Sequence, residues 1–185
     1  MASYSFEAFC ADCRASVNAG AEGRERVRRA VERLLAEPAF VAEHFGPDAE
    51  PLVRPLYTDP ETGFQVLAHV YAEGKDSPPH DHGASWAIYG QAVKHTEMKV
   101  WRRTDTDSAG GETAGHAVVE VDRTYRLDPP QAGTFEPGQI HSIHFPAGAR
   151  FLRVTGTDLK TIPTRRFDPE AERVIEDAGI SGIAR

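Results

Sequence analysis

Residues 77–89 read SPPHDHGASWAIY, and the parsing of the whole chain turns on this stretch. A Pro-Pro turn interrupts the preceding segment, His80 and His82 follow at i and i+2, and Trp86 to Tyr89 form a short apolar run. Residues two apart on a strand project to one face, so on a strand both imidazoles stand close enough to share one metal ion.

Reading outward, the surroundings have the punctuation of a sheet. The turn clusters TDPETG (58–63), EGKDSPP (73–79), DTDSAGG (105–111), DPPQAG (128–133), EPG (136–138) and PAG (146–148) separate apolar or alternating runs. Those runs are FQVLAHVY (64–71), SWAIY (85–89), AVKHTEMKVW (92–101), HAVVEVDRTYRL (116–127), TFE (134–136), IHSIHF (140–145) and RFLRVTG (150–156), each the length of one strand. Several short strands at roughly ten-residue spacing predict an antiparallel sandwich or barrel.

The opening of the chain has another period. In AEGRERVRRAVERLLAEPAF (21–40), Val27, Ala30, Val31, Leu34 and Leu35 recur at helical spacing, with arginines and glutamates between them, which predicts an amphipathic helix with an ion-paired outer face. Pro38 sets a boundary near Glu37, and PAFVAEHF (38–45) reads as a second short helix before Gly46 and Pro47. DPEAERVIEDAG (168–179) reads as a terminal helix with Asp168 as its cap and Pro169 in its first turn. The expected organisation is a single domain over 1–185, with helices in 1–46, a β-barrel over 50–160 and a C-terminal extension over 161–185.

Composition narrows the function. The 185 residues carry 21 Lys+Arg against 28 Asp+Glu, a formal charge of -7, which disfavours a polyanionic partner and argues against nucleic acid. No run approaches the roughly 18 apolar residues of a membrane span, and the first residues lack the pattern of a secretion signal, so no membrane role and a cytoplasmic address are expected. Cys10 and Cys13, the only cysteines, are spaced CxxC but lack the second pair or nearby histidine of a zinc site. They read as small residues packed on an N-terminal helix.

The eight histidines carry the chemistry. His141 and His144 lie about sixty residues beyond the first pair, on another candidate strand, and one of them can complete a three-imidazole site with positions left open. Being three apart they face opposite sides, and His141 is the chosen ligand because it follows the EPGQ turn as His80 follows SPP. His144 is then a neighbour near the rim, drawn inward only by a bulge. Asp81 points away from the metal. His44, His69, His95 and His116 read as ordinary hydrogen-bonded side chains, and Trp86 and Tyr89 as pocket-lining or core strand residues.

With these residues in view, the chain resembles the cupin superfamily. Gly74 followed by His80-Asp81-His82 is similar to the start of the first cupin motif, and Pro137-Gly138-Gln139-Ile140-His141 to the second. The resemblance implies a mainly β, double-stranded β-helix (jelly-roll) barrel with N-terminal helices. The glutamate ligand usual after HxH is replaced here by Gly83-Ala84-Ser85-Trp86-Ala87, so a three-histidine sphere of His80, His82 and His141 is implied. Within the superfamily the chain resembles the thiol dioxygenases, the cysteine and mercaptopropionate dioxygenase group. That likeness implies iron(II), with zinc, manganese and nickel as alternatives, a small-molecule substrate and O2 as partners, and an arginine gripping the substrate carboxylate at Arg54. It departs from the group where a Cys–Tyr crosslink would need residues other than Ala87 and Thr155, and where a Ser-His-Tyr relay is replaced by Phe151, Arg153 and Thr155.

The function implied is a mononuclear non-haem iron(II) dioxygenase acting on a small thiol- or other carboxylate-bearing metabolite. Arg54 is expected as the carboxylate anchor, with Arg153 as another anion-binding arginine, and Tyr89 and His144 as candidates for acid or base help. Two rival readings use the same residues: a zinc or manganese cupin acting as isomerase or hydrolase, and a non-enzymatic small-molecule-binding cupin. A homodimer is compatible with all three.

Overall fold

The computed structural model describes residues 3–105 and 115–178. Three helices come first: α1 (Phe6–Arg14), capped by the Ser5 side chain, α2 (Gly20–Leu35) and α3 (Pro38–Phe45), which begins at Pro38 and stops at Gly46. Val27, Val31, Leu34 and Leu35 of α2 are buried, and Arg28 and Arg29 pair with Glu25 and Glu32 on the other face, as the period predicts. Cys10 and Cys13 are buried free thiols on α1, and burial raises both above the usual thiol range, so the pair is packing.

Among the described residues eleven strands follow: β1 (Val53–Thr58), β2 (Gln65–Val70), β3 (Lys75–Asp76), β4 (Ala87–Val93), β5 (Thr96–Arg103), β6 (Val119–Leu127), β7 (Ala132–Phe135), β8 (His141–Phe145), β9 (Arg150–Thr155), β10 (Pro163–Asp168) and β11 (Arg173–Ala178). Every described pairing between them is antiparallel. One sheet has the order β1-β2-β9-β4-β7 and the facing one β3-β8-β5-β6. Strands β2 to β5 alternate between the two sheets, β5 and β6 form a hairpin within one of them, and β6 to β9 alternate back, the interleaved order left when one long antiparallel ribbon is rolled over itself. This is the jelly roll, a double-stranded β-helix.

Strand alternation divides the apolar side chains into two cores. Val66, Ala68 and Val70 of β2, Ile88 of β4, and Leu152 and Val154 of β9 face the helices and pack with Val31, Leu34 and Leu35. Tyr89 and Phe151 face inward, with Met98, Phe135, Ile143 and Phe145. Gly90 marks the closest helix approach, since a Cβ there would lie 2.3 Å from Val31 Cγ1 and 2.6 Å from Leu35 Cδ1. Glu32 accepts a hydrogen bond from the Ala132 N–H at 3.0 Å, so α2 also satisfies part of edge strand β7.

One expected element is different. Residues 168–178 do not form a helix; β10 and β11 make a hairpin in which Asp168 pairs with Arg173. The Asp168 carboxylate accepts from the N–H groups of Glu170 and Ala171, and Glu172 has φ +50°, so the aspartate closes a turn instead of capping a helix. Val174 then packs against the cluster of Ala117, Val119, Ile140 and Phe167. Of the expected turns, DTDSAGG lies outside the described residues from position 106 onward. No helix among the described residues is long and apolar enough to cross a membrane.

Candidate metal centre

The two halves of the site are joined by backbone. The His80 N–H donates to the His141 carbonyl and the His141 N–H to the His80 carbonyl, each at 2.9 Å, which makes the two residues a hydrogen-bonded antiparallel pair. The Gly138 N–H donates to the Gly83 carbonyl at 2.8 Å, tying the turn after His82 to the turn before His141. Asp81, between the first two histidines, points away from them: its buried carboxylate accepts from Arg165 Nε at 2.7 Å, the Arg165 N–H at 2.9 Å and the Gly83 N–H at 3.0 Å. It fastens the loop to β10, as the i+1 position on an extended segment requires.

His80, His82 and His141 converge. Their candidate ligand atoms all lie within 4.8 Å of one another, and this is the one such His/Cys/Asp/Glu group among the described residues. Ring centroids are 4.4 Å apart for His80 and His141, 4.7 Å for His82 and His141, and 5.3 Å for His80 and His82. The Phe135 ring stacks on His141 at 3.8 Å and fixes its plane.

Tautomers follow from the partners. His80 Nδ1 lies 2.9 Å from the Pro78 carbonyl oxygen and His141 Nδ1 3.1 Å from that of Gln139. A carbonyl oxygen only accepts, so both Nδ1 atoms carry the proton, and each Nε2 keeps a lone pair. Both Nε2 atoms are buried without a hydrogen-bond partner. Burial holds His80 down to about 4, and burial together with neighbouring imidazoles and Arg153 holds His82 and His141 well below the ordinary histidine range. Three neutral, inward-facing imidazoles are a donor set for a divalent transition metal, and the residues fit such an ion.

The other expected site residues divide. Tyr89 belongs to the centre: its hydroxyl is 3.3 Å from His82 Nε2, and burial raises its phenol so that it stays protonated. His144 does not. It lies on the outer face of β8 with its Nδ1 2.8 Å from Asp76, its side chain 46% exposed, because three residues along a regular strand reverse the face and no bulge intervenes.

Arg54 is also placed elsewhere. It pairs with Ala68 across β1 and β2, and Ala68 faces the helices, so Arg54 shares that outer face instead of entering the barrel. Its guanidinium lies 3.2 Å from His44 Nδ1 and lines an external groove of about 430 Å³ with Phe6, Phe40 and Glu43. Nearby, the buried Asp59 carboxylate pairs with Arg14 and accepts a hydrogen bond from the Tyr57 hydroxyl.

The inward arginine is Arg153. It alternates with the helix-facing Leu152 and Val154, stands opposite Tyr89 in the β4–β9 pairing, is 3% exposed and hydrogen-bonds the Tyr89 phenol. His69, read from sequence as an ordinary strand histidine, also faces the interior: it stacks on Phe151 at 4.7 Å, and its Nδ1 lies 3.3 Å from the Tyr71 hydroxyl. The signal was present in FQVLAHVY, where alternation puts His69 on the face opposite Val66, Ala68 and Val70, but which of those faces is the barrel interior depends on where the helices pack.

No protein-family model and no curated protein matches the chain. Among solved structures it is similar to KdgF from Halomonas sp. (14% identity, TM-score 0.40, covering 58% of this chain and 81% of that one). It is likewise similar to a double-stranded β-helix protein from Klebsiella pneumoniae (14%, 0.38, 62% and 84%) and to a cupin-superfamily protein from Desulfitobacterium hafniense (15%, 0.39, 59% and 81%).

Proposed function

We propose that this protein is a mononuclear metal-dependent oxidoreductase that uses iron(II) and O2 to oxidise a small thiol- or other carboxylate-bearing metabolite. The observation that carries the reading is the trio of buried neutral imidazoles, two of them with partnerless Nε2 atoms aimed at one point and no carboxylate in the set. When bound there, iron(II) would supply redox chemistry toward O2 and coordination positions left open by three protein ligands.

The chain's own residues do the remaining work. His80, His82 and His141 hold the ion and bring no negative charge to it, which favours an anionic donor atom from the substrate. Phe135, Phe145, Phe151, Met98 and Ile143 wall the interior and exclude water, which strengthens every charge interaction inside. Tyr89, protonated and beside His82, is placed to donate a hydrogen bond or a proton to a substrate atom at the centre.

Anaerobic purification with metal quantification, followed by oxygen-electrode screening of small thiol carboxylates and dicarbonyl acids, tests the reading. Substrate-dependent O2 uptake that follows iron content supports it; full zinc or manganese occupancy with no O2 uptake across the panel contradicts it. On an active substrate, Tyr89→Phe should lower kcat by about a hundredfold with metal content unchanged, as loss of a positioned proton donor does. An unchanged kcat removes Tyr89 from the chemistry.

A further inference from the structure

The metal ligands account for one end of a substrate, and the opposite wall of the same interior carries a second group of polar side chains. We propose that Arg153 and His69 form a carboxylate subsite inside the barrel, which holds the acid end of a short-chain substrate while its other end faces the three imidazoles. The proposal rests on the metal-centre reading for that other end, and adds which residues hold the substrate's carboxylate and where.

Three observations support it. First, position: Arg153 on β9 stands opposite Tyr89 on β4 and Leu67 on β2, and His69 lies two residues along β2 on the same inward face. Arg153 hydrogen-bonds the Tyr89 phenol, and that phenol lies 3.3 Å from His82 Nε2. A single tyrosine therefore spans from the guanidinium to a metal ligand, so only a short chain of atoms fits between the two ends.

Second, an unpartnered donor. His69 is fully buried, and its Nε2 has no hydrogen-bond partner. The Tyr71 phenol lies 3.3 Å from Nδ1, and in the tautomer in which that phenol donates, the ring proton is on Nε2. A buried N–H without an acceptor is costly, and a carboxylate oxygen satisfies it.

Third, charge. Three neutral imidazoles leave both positive charges of a divalent ion uncompensated by protein, and the Arg153 guanidinium shares their interior, across the strand pair from the tyrosine that touches His82. Two cationic centres sharing a low-dielectric interior favour an anion near both. The planar guanidinium fork matches a carboxylate by two parallel hydrogen bonds, which a point charge cannot reproduce.

Propionate binding, measured by ligand-observed NMR on the metal-free protein with propionamide as the neutral control, tests the subsite apart from any turnover. Wild type should bind propionate and not propionamide. Arg153→Met should weaken propionate binding by about tenfold or more, and His69→Phe by about threefold to tenfold, as expected for losing one charged and one neutral hydrogen-bonding group. Arg153→Lys should also bind more weakly than wild type, because it keeps the charge and loses the fork. Iron content of Arg153→Met, measured on anaerobically purified protein before the metal is removed, should not fall, since the substitution removes a positive charge near the ion.

Failure to bind propionate, or equal affinity in wild type and Arg153→Met, overturns the subsite. If Arg153→Met does not melt cooperatively, Arg153→Lys decides, and undiminished binding there overturns it. Normal metal loading with no propionate binding sinks the subsite alone, whereas propionate binding by a protein that takes up no iron supports the subsite and sinks the function proposed above.

Discussion

At the scale of single residues, direction matters more than proximity in sequence. Arg54 and Arg153 are both strand arginines, yet Arg54 shares a face with Ala68 and meets His44, while Arg153 meets Tyr89. A conservative change at Arg54 should therefore be nearly silent. Arg54→Lys is expected to keep kcat/KM for any active substrate within about twofold of wild type, and to change stability by less than about 1 kcal/mol, as for partly exposed polar contacts. Steady-state oxygen uptake and a thermal melt check both figures, and a tenfold fall in kcat/KM would return Arg54 to the site. The same rule of faces separates His141 from His144. That much was legible in IHSIHF, because spacing alone prevents both from facing one ion on a regular strand.

At the scale of elements, the metal loop is held by backbone contacts that leave no room for a side chain. Gly83 has φ +56°, and a Cβ there would lie 2.1 Å from the Pro163 carbonyl oxygen. Gly83→Ala must therefore move the loop, the start of β10 or both. The expected result is a loss of about 2 kcal/mol or more of stability together with reduced iron content, read by denaturant unfolding and metal analysis. Wild-type values for both would show that the loop has slack this packing does not allow. Period-based reading succeeded for α2, where ion pairs and apolar spacing agree over sixteen residues. It failed for residues 168–178, where Glu, Ala and Arg suit a helix locally. There the turn closed by Asp168 and the packing of Val174 against Phe167, Val119 and Ile140 favour a hairpin, and tertiary contacts override weak propensity.

At the scale of the whole molecule, the strands were legible and their partners were not. Alternation and turn residues mark β2, β4, β8 and β9, but nothing local says that β9 runs between β2 and β4 or which face meets the helices. That long-range arrangement is what turns His69 and Arg153 inward. It also predicts how acid acts on the metal-free fold. Burial holds His80 down to about 4 and His69 well below its ordinary value of 6.5, so between these values the unfolded chain binds more protons than the folded one. Their contribution to stability is fully present above about pH 6.5 and is lost as pH falls toward 4, which urea midpoints across that range should record as a steady decline; a flat profile would place these imidazoles in contact with water. The account as a whole rests on one ion held by three histidines. Metal content per chain, measured by mass spectrometry on anaerobically purified wild type, His82→Ala, His141→Ala and His144→Ala, tests that most directly. The expected result is close to one ion in wild type and His144→Ala and less than about a tenth of that in the other two; stoichiometric metal retained by both His82→Ala and His141→Ala would contradict it.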